Sequence, residues 1–169
     1  MDFFEAITTR YSVRRYTGEK LTEEQWDTVF RAAFSAPSAH NLQPWHFIRI
    51  EEESILEDLA QKHPYAKMLP AAGGAILTCA DLNIQNEVGF AVEDCSAAIQ
   101  NMLITLNGLG LGGVWIGIYP IEELIREMRK IFNLPENILP IGLMAVGHKE
   151  KLGKARQKYD PNKIHVNGW

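Results

Sequence analysis

Residues 90–109 constrain the fold of this 169-residue chain more than any other stretch. Ala91, Cys95, Ala98, Ile99, Met102, Leu103, Leu106 and Leu109 recur at three- and four-residue steps, which is the spacing of one face of an α-helix. A helix of that length spans about 30 Å, the width of a small domain. An apolar stripe so long needs a large surface to lie against, either a sheet or a partner. Two apolar runs of strand length, Gly74 to Ala80 and Ile138 to Gly147, read as buried strands that could supply the sheet.

The remaining elements are punctuated clearly. Residues 2–9 read as a short helix, with Asp2 and Glu5 at capping-box spacing and Phe3 and Ile7 on one face. A second helix opens at Thr22, with Gln25 three residues on and Leu21 placed to staple against Trp26. Its stripe is Trp26, Val29, Phe30 and Ala33, and it ends before Pro37. Pro37 to Trp45 reads as a rigid, exposed loop. Residues 46–50 alternate as a strand, with Phe47 on one side and Ile48 and Ile50 on the other, and residues 54–62 form an amphipathic helix ended by Pro64. After a polar connection over 81–87 and the long helix come strand-like Val114, Trp115 and Ile116. A helix opened by Pro120, Glu122 and Glu123 follows, with Ile121, Leu124, Ile125 and Met128 on its face and Asn133 and Pro135 closing it. The tail is basic at Lys149, Lys151, Lys154, Arg156 and Lys158, then strand-like over 164–166.

The chain is of a length for one domain, 1–169. With 17 basic and 21 acidic side chains and a net charge of -4, it has no general attraction for nucleic acid or an anionic membrane, so its basic groups must act locally. Cys79 lies in an apolar run and Cys95 on the long helix's stripe, and both read as buried thiols of a reducing compartment. Asp2 and Glu5 break the pattern of a signal peptide, and no apolar run approaches a membrane span, so the expected location is the cytoplasm. The histidines show no ligand spacing, so no metal is expected. No carboxylate pair, Ser/His/Asp set or activated cysteine offers itself as a catalytic side chain.

Arg10-Tyr11-Ser12-Val13-Arg14-Arg15 crowds three guanidiniums into six residues. If extended, the segment turns Arg10, Ser12 and Arg14 to one side, two planar forks about a hydroxyl, which suits a phosphate. A solvated basic turn is the plainer alternative. The glycines from Gly108 to Gly113 follow a helix and precede a strand, the reverse of the dinucleotide-binding order, so that fingerprint is rejected. A helix cap accounts for the first of them, and the later ones would let a ligand approach main chain. Trp26 and Trp45 read as core, and Trp115 as either core or site.

Read together, Arg10-x-Ser12-x-Arg14, Pro37-Ser38-Ala39-x-Asn41-x-Gln43-Pro44-Trp45, the glycine-rich turn with Trp115-Ile116-Gly117, and Lys154-x-Arg156 resemble the FMN-dependent nitroreductase family. The resemblance implies an α+β fold in which helices surround a central, mostly antiparallel sheet, with two chains interlocked as a homodimer around two FMN sites. It implies that Arg10, Ser12 and Arg14 hold the ribityl phosphate, with Lys154 and Arg156 closing on it. Pro37, Ser38, Ala39 and Asn41 would reach the flavin from the partner subunit, with Ala39 at a place that is often serine. Lys67 would lie near the pyrimidine edge, and the backbone of Trp115, Ile116 and Gly117 would border the reactive nitrogen. His40 is kept as a substrate contact. The implied activity is transfer of hydride from NADH or NADPH through FMN to a nitro compound, quinone or similar small acceptor by a ping-pong mechanism. The alternatives are a flavin-binding sensor or carrier without turnover, and a reductive dehalogenase or flavin-degrading relative.

Overall fold

A computed structural model describes residues 1–169. Four strands, β1 (Trp45–Ile50), β2 (Gly74–Asp81), β3 (Gly112–Gly117) and β4 (Ile138–Gly147), form one sheet in the order β1-β2-β4-β3, and every neighbouring pair is antiparallel. The fold class is therefore α+β, as expected. The two most continuously apolar strands, β2 and β4, take the centre and are buried along nearly their whole length, because a strand covered on both faces has no polar side to present. Pro140 lies within central β4, where it has no N–H to donate. Its site coincides with a shift of register, Thr78 facing Gly142 and Cys79 facing Pro140, so the ladder steps past it.

Helices α1 (Phe3–Thr8), α2 (Glu23–Phe34), α3 (Glu53–Lys62), α4 (Val88–Gly108) and α5 (Glu122–Phe132) pack around that sheet. The long helix lies against the sheet and α2, burying Ala91, Cys95, Ala98, Ile99, Met102, Leu103 and Leu106. Leu109 departs from the expectation: it caps the helix and is 41% exposed, because the chain turns at Gly110, whose φ of +79° suits glycine. The α2 start is as read. Gln25 N–H donates to Thr22 Oγ1 at 3.2 Å, Thr22 N–H to Gln25 Oε1 at 2.9 Å, and Leu21 and Trp26 are both buried. None of the helices is long and apolar enough to cross a membrane.

Three other expectations need correction. The 37–45 loop is not exposed throughout: Pro44 and Trp45 are buried and Ala39–Asn41 forms one 3-10 turn. Residues 164–166 form no strand, and Ile164 and Val166 are exposed, so the short apolar alternation there has no sheet to pair with. On α1 the face of Phe3 and Ile7 is exposed, together with Phe4, and only Ala6 is buried.

Cys79 and Cys95 are buried, and desolvation pushes both thiols up to about 12. A thiol held protonated and enclosed is unreactive. A thiol-titrating reagent at neutral pH should therefore modify neither in the native protein and both after denaturation. Rapid native reaction would place one of them at the surface.

Candidate functional site

After α1 the chain runs extended over Arg10 to Tyr16, and its hold on the sheet decides which side chains face outward. Val13 N–H donates to the Gly113 carbonyl at 3.1 Å, and the Tyr16 hydroxyl reaches the carbonyls of Val13 at 2.7 Å and Ala145 at 3.2 Å. Val13 and Tyr16 are buried, and desolvation raises the Tyr16 phenol above its usual range. With Val13 turned inward, Ser12 and Arg14 on either side of it face outward, and Arg10 lines the same cleft as they do. The closeness of this segment explains Gly112, and that of α4 explains Gly113. A Cβ on Gly112 would lie 2.7 Å from Val13, and one on Gly113 2.8 Å from Leu106. Those two glycines serve packing of the chain on itself, which corrects the reading that they admit a ligand.

Arg10, Tyr11, Ser12, Arg14, Lys154, Arg156 and Lys158 line one cleft of about 470 Å³. None of its five cations is in an ion pair, whereas neighbouring Arg15 pairs with Glu150 at 2.6 Å. Like charges gathered without a counter-charge repel one another, and a phosphomonoester of charge about -2 relieves that repulsion while its oxygens accept the forked N–H groups. The cleft exists because the tail is pinned beside it. Tyr11 Oη accepts from Gly153 N–H at 2.6 Å and donates to the Lys151 carbonyl at 3.3 Å. A Cβ on Gly153 would meet the Tyr11 ring at 2.5 Å, so the tail can approach this closely only through glycine. Tyr11 and Lys158 were not singled out from sequence, although Lys158 continues the alternate spacing of Lys154 and Arg156. Tyr11→Phe should weaken phosphate binding by about 1 kcal/mol, the worth of an ordinary hydrogen bond, with little loss of thermal stability. Calorimetric titration checks this, and unchanged affinity would show that the tail is held some other way.

A second cleft, of about 340 Å³, adjoins the first through Arg14, which lines both. Its other walls are Pro64, Tyr65, Lys67 and Met68 on one side and Val114, Trp115, Ile116 and Gly117 on the other. Since β3 is the sheet's edge, one side of its main chain is not taken by β4. The Gly113 carbonyl faces outward to Val13, so alternation turns the main chain of Trp115 and Gly117 outward too. Trp115 is 37% exposed, which resolves its reading in favour of the cleft wall over the core. A Cβ on Gly117 would meet nothing within 4 Å, so here glycine leaves main chain open to a ligand.

Pro37, Ser38, Ala39 and Asn41 line neither cleft. His40, Asn41 and Gln43 hold φ of 53°, 55° and 54°, a conformation costly for residues other than glycine. Hydrogen bonds sustain it: Gln43 N–H donates to Ser38 Oγ at 3.0 Å, and Ala39 N–H to Asp94 Oδ1 at 2.8 Å. Asp94 is buried on α4, with Oδ2 unpartnered. Its signal in the sequence was an acid three residues after Ala91, inside the apolar stripe.

A sequence model described as the nitroreductase family matches residues 7–78 and 85–148, which takes in the arginine segment, the 37–45 loop and both walls of the second cleft but stops short of Lys154. A protein of Methanothermobacter thermautotrophicus, provisionally named NADH dehydrogenase/NAD(P)H nitroreductase, is 39% identical over 169 residues, covering 100% of this chain and 88% of its own. A Bacillus subtilis protein named FMN reductase (NADPH) is 27% identical over 190 residues, covering 96% of this chain and 74% of its own. The crystal structure of a Bacteroides thetaiotaomicron protein, named like the first, superposes with a TM-score of 0.95 at 38% identity, covering 99% of this chain and 98% of that one.

Proposed function

The chain belongs to the nitroreductase family, and from that premise we propose that it passes reducing equivalents from NADH or NADPH, through FMN, to a nitro compound, quinone or similar small acceptor. As an enzyme it is an NAD(P)H-dependent FMN oxidoreductase, in keeping with relatives named FMN reductase (NADPH) and oxygen-insensitive NADPH nitroreductase. The observation that carries the reading is the pair of clefts joined at Arg14, one cationic and the other bounded by strand edge and Lys67. FMN has the same two-part shape, a phosphate at one end and a flat ring system at the other. When bound, FMN supplies the hydride chemistry.

The chain's own residues bind and orient. Arg10, Ser12, Arg14, Lys154 and Arg156 take the phosphate. Lys67 sits at the pyrimidine edge, where a cation offsets the charge that reduction leaves on the ring. The main chain of Trp115, Ile116 and Gly117, turned outward at Trp115 and Gly117, borders the reactive nitrogen. Pro37, Ser38, Ala39 and Asn41, which line neither cleft of their own chain, serve the flavin of the partner subunit in a homodimer. Exposed Phe3 and Phe4, and tail residues Leu152, Ile164, Val166 and Trp169, are apolar surface for that association. The whole of 1–169 acts as one flavin domain in the cytoplasm.

One ring cleft serves donor and acceptor in turn, so the mechanism is ping-pong. Steady-state oxidation of NADH or NADPH at several menadione concentrations should give parallel reciprocal plots, with each substrate inhibiting competitively against the other at high concentration. Intersecting lines would mean a ternary complex and a second pocket.

A further inference from the structure

His63, at the C-terminus of α3, is 1% exposed and lines neither cleft. It touches both walls of the second one. Its Nε2 lies 2.9 Å from the Gly117 carbonyl, and Tyr65 N–H donates to its Nδ1 at 3.1 Å. A carbonyl only accepts and an amide N–H only donates, so these partners select the neutral ring with its proton on Nε2. The imidazole thus bridges the end of β3 to the turn that carries Lys67.

We propose that His63 is a positioning residue for the flavin ring, a role that rests on the flavin reading above. It acts in two ways. It fixes the spacing between the Lys67 wall and the edge of β3. It also donates to the Gly117 carbonyl, which draws charge from that oxygen and lessens its repulsion of a ring held in the cleft. A free carbonyl at that edge would repel the charge gained on reduction, whereas an N–H and a lysine favour it. His63 therefore stabilises reduced FMN relative to oxidised FMN without touching either.

Two variants separate this from simple packing. His63→Gln places a donor near the position of Nε2, and His63→Asn places an acceptor near Nδ1 but falls short of Gly117. FMN affinity is measured for both redox states under anaerobic conditions, with the midpoint potential and thermal midpoint of each holoprotein. His63→Asn should lose about tenfold more affinity for reduced than for oxidised FMN, which lowers a two-electron potential by about 30 mV. His63→Gln should stay nearer the wild-type potential. A wild-type potential in His63→Asn, or equal loss of both redox states, would overturn the proposal and leave a structural role. Nitrogen NMR of the wild-type imidazole gives a check independent of folding of the variants. The Nε2-protonated neutral tautomer is expected, and the Nδ1-protonated one would overturn the bridge. Wild-type protein that holds no FMN would instead sink the flavin reading on which the proposal rests.

Discussion

Arg10→Ala and Arg14→Ala should each weaken FMN by about 1.5–3 kcal/mol for every charge-assisted hydrogen bond lost, and the double variant should fail to retain the cofactor through purification. Both side chains face a cleft and neither is in an ion pair, so their removal spares the fold while the buried anchors Val13 and Tyr16 stay in place. Arg14 should cost more than Arg10, since it lines the second cleft as well. Arg15→Ala is the internal control: that guanidinium pairs with Glu150 and lines neither cleft, so FMN affinity should not change. Fluorescence titration of each apoprotein checks the set. Equal affinities for wild type and Arg14→Ala would move the phosphate elsewhere.

The second large effect is expected in a mixed dimer, one chain carrying Arg10→Ala with Arg14→Ala and the other Asn41→Ala. If the 37–41 loop serves the partner's flavin, a single chain carries halves of two sites. The loop of the arginine variant is intact and serves the flavin of the chain whose arginines are intact, so that site binds normally. The other site lacks both arginines and the loop amide. Binding isotherms should show one near-native site and one nearly lost. One site nearly lost for want of its arginines and the other weakened by Asn41→Ala alone would show that loop and arginines serve the same chain's flavin. The placement of the loop outside both clefts, with its φ angles held by Ser38 and Asp94, motivates the crossed arrangement.

Periodicity made much of this fold legible. The α4 stripe, the two apolar runs that became central strands and the Thr22–Gln25 cap are local patterns with one economical solution each. What sequence could not give was contact between distant segments. Gly112 and Gly113 looked like room for a ligand, but Val13 and Leu106 fill that room, and only the fold brings residue 13 to residue 112. Gly117, which the resemblance set beside the flavin, has nothing within 4 Å of where a Cβ would stand. At the candidate site the charged residues stood out because charge clusters are conspicuous in one dimension. Tyr11, His63 and Asp94 did not, because each acts by a hydrogen bond to main chain remote from it, and no spacing rule marks such a bond. Phe3 and Ile7 were read as one face of a helix and are exposed, which is where a partner's surface enters the account.

The central claim is that this chain holds FMN and reduces it with a nicotinamide. Anaerobic titration of FMN-loaded protein with NADH or NADPH, followed by the visible absorbance of the flavin, tests it most directly. One equivalent of donor per flavin should bleach the colour, and added menadione should restore it. Protein that cannot be loaded with FMN, or that keeps its flavin oxidised under excess of both donors, would contradict the account.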